Sequence, residues 1–372
     1  MKRILVLALL VAFLIPASAG AQISATGQSH LSAVLRKQAR PMAVFVAGRG
    51  AGKPYGAAAG LADPAAQIPL TVDTPVRVAS NTKTFVAATV LRLWEQGRIN
   101  LDASVGPLLN PSLDALLRAD GYDTKRMTVR QLLDHSGGLF DYARDRRFFE
   151  SSMSNPGRRW TREELVTLAT SWGDPQSSPG ARFGYSDTGY ILLGDMIERI
   201  TGQTLAAAVR AQLKFDRLGL RSTYWEIMEA PPHGTRSRAR QWIKELEVSN
   251  IHASADLYGG GGLVMSARDM ATLAAALFEG RVFDRPETLR EMIRQGSHSG
   301  AHEYRLGVMV KNVSGREYYW HSGFWGTTVY YSPAARIAVA GVTTNRDAYQ
   351  ALVPIVEQAA GISAQSGSAS SH

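Results

Sequence analysis

The sequence predicts an α+β fold: one antiparallel sheet built from both ends of the chain and flanked by helices, with a mostly helical domain inserted between its halves. Three observations predict it. Near the start, "PMAVFVAGRG" and "KPYGAAAGLAD" are short strand-like runs joined through Gly48, Gly50 and Gly52. From Leu306 onward, "YRLGVMVKNV", "REYYWHSG", "TTVYYSP" and "RIAVAGVTTN" are β-branched and aromatic runs with turns between them. Between these ends the apolar residues recur at helical spacing, in "MTVRQLLDHSGGL", "TREELVTLATSW" and "TGYILLGDMIERITGQTLAAAVRAQL". Residues 22–98 and 251–363 are thus expected to form the sheet domain and 99–250 the helical domain.

Taken in chain order, the first element is a leader. Lys2 and Arg3 precede the apolar run Ile4 to Ile15, and "PASAGAQ" offers small residues for cleavage after Ala19 or Ala21, so 1–21 reads as a signal peptide. The run is short for a membrane span, which leaves no stable anchor after cleavage and predicts a periplasmic or secreted bacterial protein. The chain has no cysteine, in keeping with a fold that does without disulfides.

The two N-terminal strands lead to the extended piece "TPVRVAS" and then to a helix with Phe85, Val86, Val90, Leu93 and Trp94 on its apolar positions, closed by Gly97. Ser80 lies at that strand-to-helix junction. The helical segments follow, then the C-terminal strands, a last helix in "AYQALVPIVEQAAG", and a Ser/Gly-rich tail, 364–372, that reads as disordered.

The net charge is +9, and +7 without Lys2 and Arg3. Basic clusters such as Arg144, Arg146, Arg147 and Arg236, Arg238, Arg240 read as solvated faces. No nucleic-acid recognition motif accompanies them, and export removes that partner.

Ser80 admits two readings, a helix N-cap or a nucleophile. Lys83 follows one turn later on the same face, where it can take the serine proton or stabilise the alkoxide. The helix dipole favours negative charge at Ser80, and its own N–H can serve an oxyanion.

With "ASNTKTF", "YSD" at Tyr185 to Asp187 and "HSG" at His321 to Gly323, the chain resembles the penicillin-recognising serine hydrolases. The group contains class C β-lactamases, DD-carboxypeptidases, D-aminopeptidases and related esterases. "GRINLDASV", "VRQLLDHSGGLFDY", "PGARFGYSDTGYILLGDMIE" and "YGGGGLVMSARDMATLAAAL" extend the resemblance over most of residues 40–360. It implies a β-lactamase/DD-peptidase-like fold with a cleft between the two domains. Ser80 would be the nucleophile, Lys83 its activating partner, and Tyr185 the phenol that shuttles the proton. The backbone N–H groups of Ser80 and Phe324 would form the oxyanion hole. His321, Ser322 and Gly323 would line the cleft, the first two facing substrate and the glycine admitting close backbone approach. No cofactor or metal is implied.

Two residues depart from the usual pattern. Asp187 stands where many members carry asparagine, so it can accept but not donate a hydrogen bond when ionised. A carboxylate there favours an ammonium on Lys83 and leaves Tyr185, or a coupled Lys83–Tyr185 unit, to move the proton. It also hints at a substrate bearing a positive amine. His321 stands where β-lactamases usually carry lysine, which makes a fixed cation for a substrate carboxylate less available.

The remaining motifs are weaker. His135 reads as structural, at a helix-end turn. His298, His302 and Glu303 lie in a loop without an H-E-x-x-H pattern, so no metal is assigned. Gly259 to Gly262 lacks the features of a phosphate loop and reads as a close backbone approach beside the cleft. The expected function is an exported serine hydrolase acting through an acyl-enzyme on a D-amino-acid peptide, with an ester or β-lactam as alternative substrates. The reading from another class is a non-catalytic protein that binds cell-wall fragments or a partner.

Overall fold

The computed structural model describes residues 17–362, with side chains from residue 25. Of the residues read above as a signal peptide, 1–16 lie outside the described residues, as does the tail 364–372. Among the described residues no helix is long and apolar enough to cross a membrane.

Six antiparallel strands form the main sheet, in the spatial order Met309–Val313, Arg316–Gly323, Thr327–Ser332, Ile337–Thr343, Met42–Ala47, Tyr55–Ala59. The two ends of the chain meet inside it, with Met42 opposite Thr343 and Ala47 opposite Ala338. Every residue of the Met42–Ala47 strand is buried. Strand alternation explains how: Ala43, Phe45 and Ala47 enter the larger core, while Met42, Val44 and Val46 point the other way, into a second one. The second core holds Leu31 and Leu35 of the helix Ala17–Leu35 and Leu352 and Val356 of the helix Tyr349–Ala359. On the opposite face, Met270, Leu273 and Ala274 of the helix Ala267–Phe278 join the larger core. The sheet is therefore covered on both sides, as the α+β reading requires.

The larger core continues into the helical region through Leu132, Leu165, Leu192, Leu193 and Val209. Its helices start where the sequence supplies caps. Thr128 with Gln131 and Thr161 with Glu164 close capping boxes before Val129–Leu133 and Arg162–Trp172.

One stretch differs from the helical expectation for 99–250. Beyond the helix Leu205–Gln212 the chain makes short strands, and Tyr224–Trp225 pairs with Leu263–Met265, which in turn pairs with Val76–Arg77. Two-residue strands carry too little alternation for a sequence pattern to reveal them. This small sheet matters because it holds both Val76–Arg77, the lead-in to Ser80, and the segment just after the tetraglycine.

Candidate active site

Ser80 sits in a 3₁₀ turn, Ala79–Asn81, that runs straight into the buried helix Thr82–Glu95. The helix N-cap is Asn81, and no side chain caps it, so the N-cap reading of Ser80 does not hold. Instead Asn81 fastens the turn to the sheet. Its Nδ2 donates to the Val78 carbonyl at 3.1 Å and to Thr327 Oγ1 at 2.7 Å. Ala79 adopts a φ of 45°, a left-handed conformation that costs a non-glycine residue about 1–2 kcal/mol. It is held there by packing with Val248, Ile251 and Trp325.

Lys83 is fully buried. Its ammonium donates to Ser80 Oγ at 2.9 Å and to the Gly260 carbonyl at 2.6 Å, and lies 2.7 Å from Asp187 Oδ1. Asp187 opens the helix Asp187–Thr201, so one helix start presents the carboxylate and another carries Ser80. Tyr185 lines the same cavity as Ser80, and Lys83 Nζ lies 5.1 Å from the centre of its ring. Burial, then the Asp187 charge, hold the Tyr185 phenol well above its ordinary range, so it is a phenol and not a phenolate at neutral pH.

The tetraglycine is a close approach, and the structure shows what each residue approaches. A Cβ on Gly260 would lie 3.1 Å from Asp187 Oδ2, one on Gly261 only 2.0 Å from Asp256 Oδ1, and those on Gly259 and Gly262 against the Tyr190 carbonyl and the Trp225 indole. Gly323 is likewise dictated by crowding, since a Cβ there would lie 2.0 Å from the Val78 carbonyl. The glycine lets the strand reach the Ser80 turn.

Ser80, Tyr185, Asp187 and Phe324 line one cavity of about 520 Å³. His321, Ser322 and Gly323 do not, which corrects two expectations. Adjacent strand residues point to opposite faces. Ser322 accordingly turns to the far side of the sheet with Tyr318 and Trp320, which pack into the second core. His321 is on the near side but buried, with Nε2 3.1 Å from the Tyr304 hydroxyl and Nδ1 2.9 Å from the Ser322 carbonyl. Burial and then the Lys83 charge push it down to about 3, so it is neutral and cannot hold a substrate anion. It is a positioning residue: it supports Tyr304, whose ring meets Tyr185 edge-on at 6.2 Å.

His135 does more than close a turn. Its ring lies 4.3 Å from that of Tyr185, and its Nδ1 accepts from the Ser186 amide at 3.2 Å, so it fixes the Tyr185–Asp187 segment from below. The loop histidines separate: His298 lies 3.6 Å from Asp134, while His302 is exposed beside Glu303.

Sequence reasoning missed two carboxylates in the cavity, Asp141 and Asp256. Asp141 Oδ1 accepts from the Asp187 amide at 3.1 Å, and Asp256 lies against Gly261. Burial, then the Asp187 charge, push each of them up to about 7. "HSGGLFDY" contained Asp141, but nothing in one sequence told it from a turn residue. A carboxyl whose folded value is raised contributes its full stability below its unfolded value near 4 and loses it as the pH rises to about 7. Asp256→Asn should therefore raise stability by roughly 2 kcal/mol at pH 8 and by little at pH 4.5. Thermal melts at the two pH values check this.

A family model described as Beta-lactamase matches residues 28–357. Esterase EstB of Burkholderia gladioli is 32% identical over 315 residues, which is 74% of this chain and 75% of that protein. A D-stereospecific amidohydrolase from Streptomyces sp. has a similar structure, with a TM-score of 0.72 and 27% identity over 87% of this chain and 94% of the other. The fimbrial assembly protein FimD of Dichelobacter nodosus is 26% identical over 209 residues, and the chain spans about half, 50%, of its length.

Proposed function

The chain belongs to the Beta-lactamase family and is a serine hydrolase, and from that premise we propose that it is exported and cleaves D-amino-acid amides or peptides through an acyl-enzyme on Ser80. The observation that carries the proposal is Lys83 bonded to Ser80 at 2.9 Å, with Tyr185 beside them, in a cavity large enough for a small acyl substrate. The Streptomyces neighbour, a D-stereospecific amidohydrolase, supports an amide substrate of D configuration. Lys2, Arg3 and the apolar run after them support export.

The chemistry follows from the hydrogen bonds. Ser80 Oγ attacks the acyl carbon while Lys83, an ammonium paired with Asp187, stabilises the developing alkoxide. The serine proton passes to the Tyr185 oxygen as the Tyr185 proton passes to the leaving nitrogen. A relay of this kind never requires a free phenolate, which the surroundings of Tyr185 disfavour. The backbone N–H groups of Ser80 and Phe324 receive the oxyanion. Water then uses the same relay in reverse to release the acid.

A second reading, hydrolysis of carboxylic esters, is favoured by the likeness to EstB and by Phe148, Phe149, Phe324 and Trp325 in the cavity wall. Both readings share the nucleophile. A fluorophosphonate should add one adduct to the intact protein and none to Ser80→Ala, as read by mass spectrometry. Equal labelling of both, or none, would remove Ser80 from its role. A lasting adduct with benzylpenicillin would turn the assignment toward a penicillin-binding peptidase.

A further inference from the structure

The charges on the cavity floor do not balance. Asp141, Asp187 and Asp256 crowd one ammonium, Lys83, and that ammonium is committed to Asp187 at 2.7 Å. Asp141 Oδ2 is buried and has no hydrogen-bond partner among the described residues. Its Oδ1 is occupied by the amides of Asp187 and Ala143, which fixes the carboxyl in the cavity wall with the second oxygen unpartnered. Asp256 has Arg77 behind it, but Arg77 is already engaged by Glu226, at 2.6 and 3.3 Å. The Trp325 indole N–H approaches Asp256 without closing a good hydrogen bond and has no other partner among the described residues.

Cationic groups on the cavity wall do not repair this. Arg144, Arg146 and Arg346 line the cavity from exposed positions, and none pairs with Asp141, Asp187 or Asp256 among the described residues. Charges in water are screened within about 8 Å at physiological salt, whereas buried carboxylates are screened far less. The floor therefore governs a group bound beside Ser80. What it lacks is one small cation with several donors, next to aromatic surface of the kind that Trp325 supplies.

We propose that Asp141 and Asp256 bind a primary ammonium of the substrate, carried on the carbon next to the scissile acyl group. The proposal rests on the reading of Ser80 as an acylated nucleophile and narrows it to aminoacyl substrates with a free amine. It also moves the amine-binding role away from Asp187, whose charge is spent on Lys83. An ammonium has the three donors needed to reach both carboxylates, and it supplies the charge that the floor is missing.

The test compares D-phenylalanine methyl ester with methyl 3-phenylpropanoate, which replaces the ammonium by hydrogen and is no larger. At pH 7 the wild type should prefer the amino ester in kcat/KM by about 30-fold or more beyond the ratio for hydroxide hydrolysis of the same pair. Asp141→Asn and Asp256→Asn should each reduce that excess to within about threefold. In Asp141→Asn the side-chain amide oxygen can still accept from both backbone amides, and Asp256→Asn gives an independent variant. A wild type labelled by fluorophosphonate but showing no excess preference, or an excess that survives both substitutions, would overturn the ammonium site and leave the hydrolase standing. Failure of the wild type to label would overturn both.

Discussion

Lys83→Met should cost the enzyme about 10³-fold or more in kcat and, at pH 8, about 3–5 kcal/mol of stability. Methionine fills nearly the same volume, so packing changes little and the loss is electrostatic. In the wild type the ammonium faces Asp187 directly and lowers the cost of ionising Asp141 and Asp256. Without it, three buried carboxyls share a pocket whose other cations are exposed on its wall or already paired, as Arg77 is with Glu226. The penalty must grow with pH, because Asp141 and Asp256 already hold their protons below about 7. Denaturant unfolding of both proteins at pH 5.5 and 8 measures this directly. A loss that is independent of pH would mean that the carboxyls do not depend on Lys83 for their charge.

The fold and the Ser80–Lys83 pair were legible because both are written locally. Alternating strands near each end, helical spacing between them, and Ser80 with Lys83 one turn later are patterns within short windows. His321 and Ser322 were misread for a reason that was equally available: consecutive strand residues cannot both face one cleft unless the strand edge does. Asp141 and Asp256 were not legible. They come from separate loops and acquire meaning only when the tetraglycine brings Asp256 beside Asp187 and the Asp187 amide reaches Asp141. The glycine run hinted at that crowding without naming its partners. His135 was visible as a turn residue, but its ring contact with Tyr185 depends on how two helix ends meet.

Asp187→Asn should produce a smaller stability loss than Lys83→Met and a larger change in pH dependence. Removing one member of a buried ion pair normally leaves the other stranded. Here Lys83 has substitutes close by, since the Asp187 charge is what helps keep Asp141 and Asp256 protonated. With an amide in its place those carboxyls ionise at lower pH, and one of them becomes the new partner of Lys83. For an amino ester, kcat/KM calculated on the ammonium form of the substrate, whose own amine loses its proton in this range, should rise in the wild type as the pH passes about 7, where Asp141 and Asp256 lose their protons. In the variant that rise should move to lower pH, and the plateau should fall by about tenfold because one carboxylate is diverted from the substrate amine to Lys83. A pH–rate profile of both proteins from pH 5 to 9 decides the matter. An unshifted limb would show that Asp187 does not set the protonation of its neighbours. A shifted limb with an undiminished plateau would show that the amine needs only one of them.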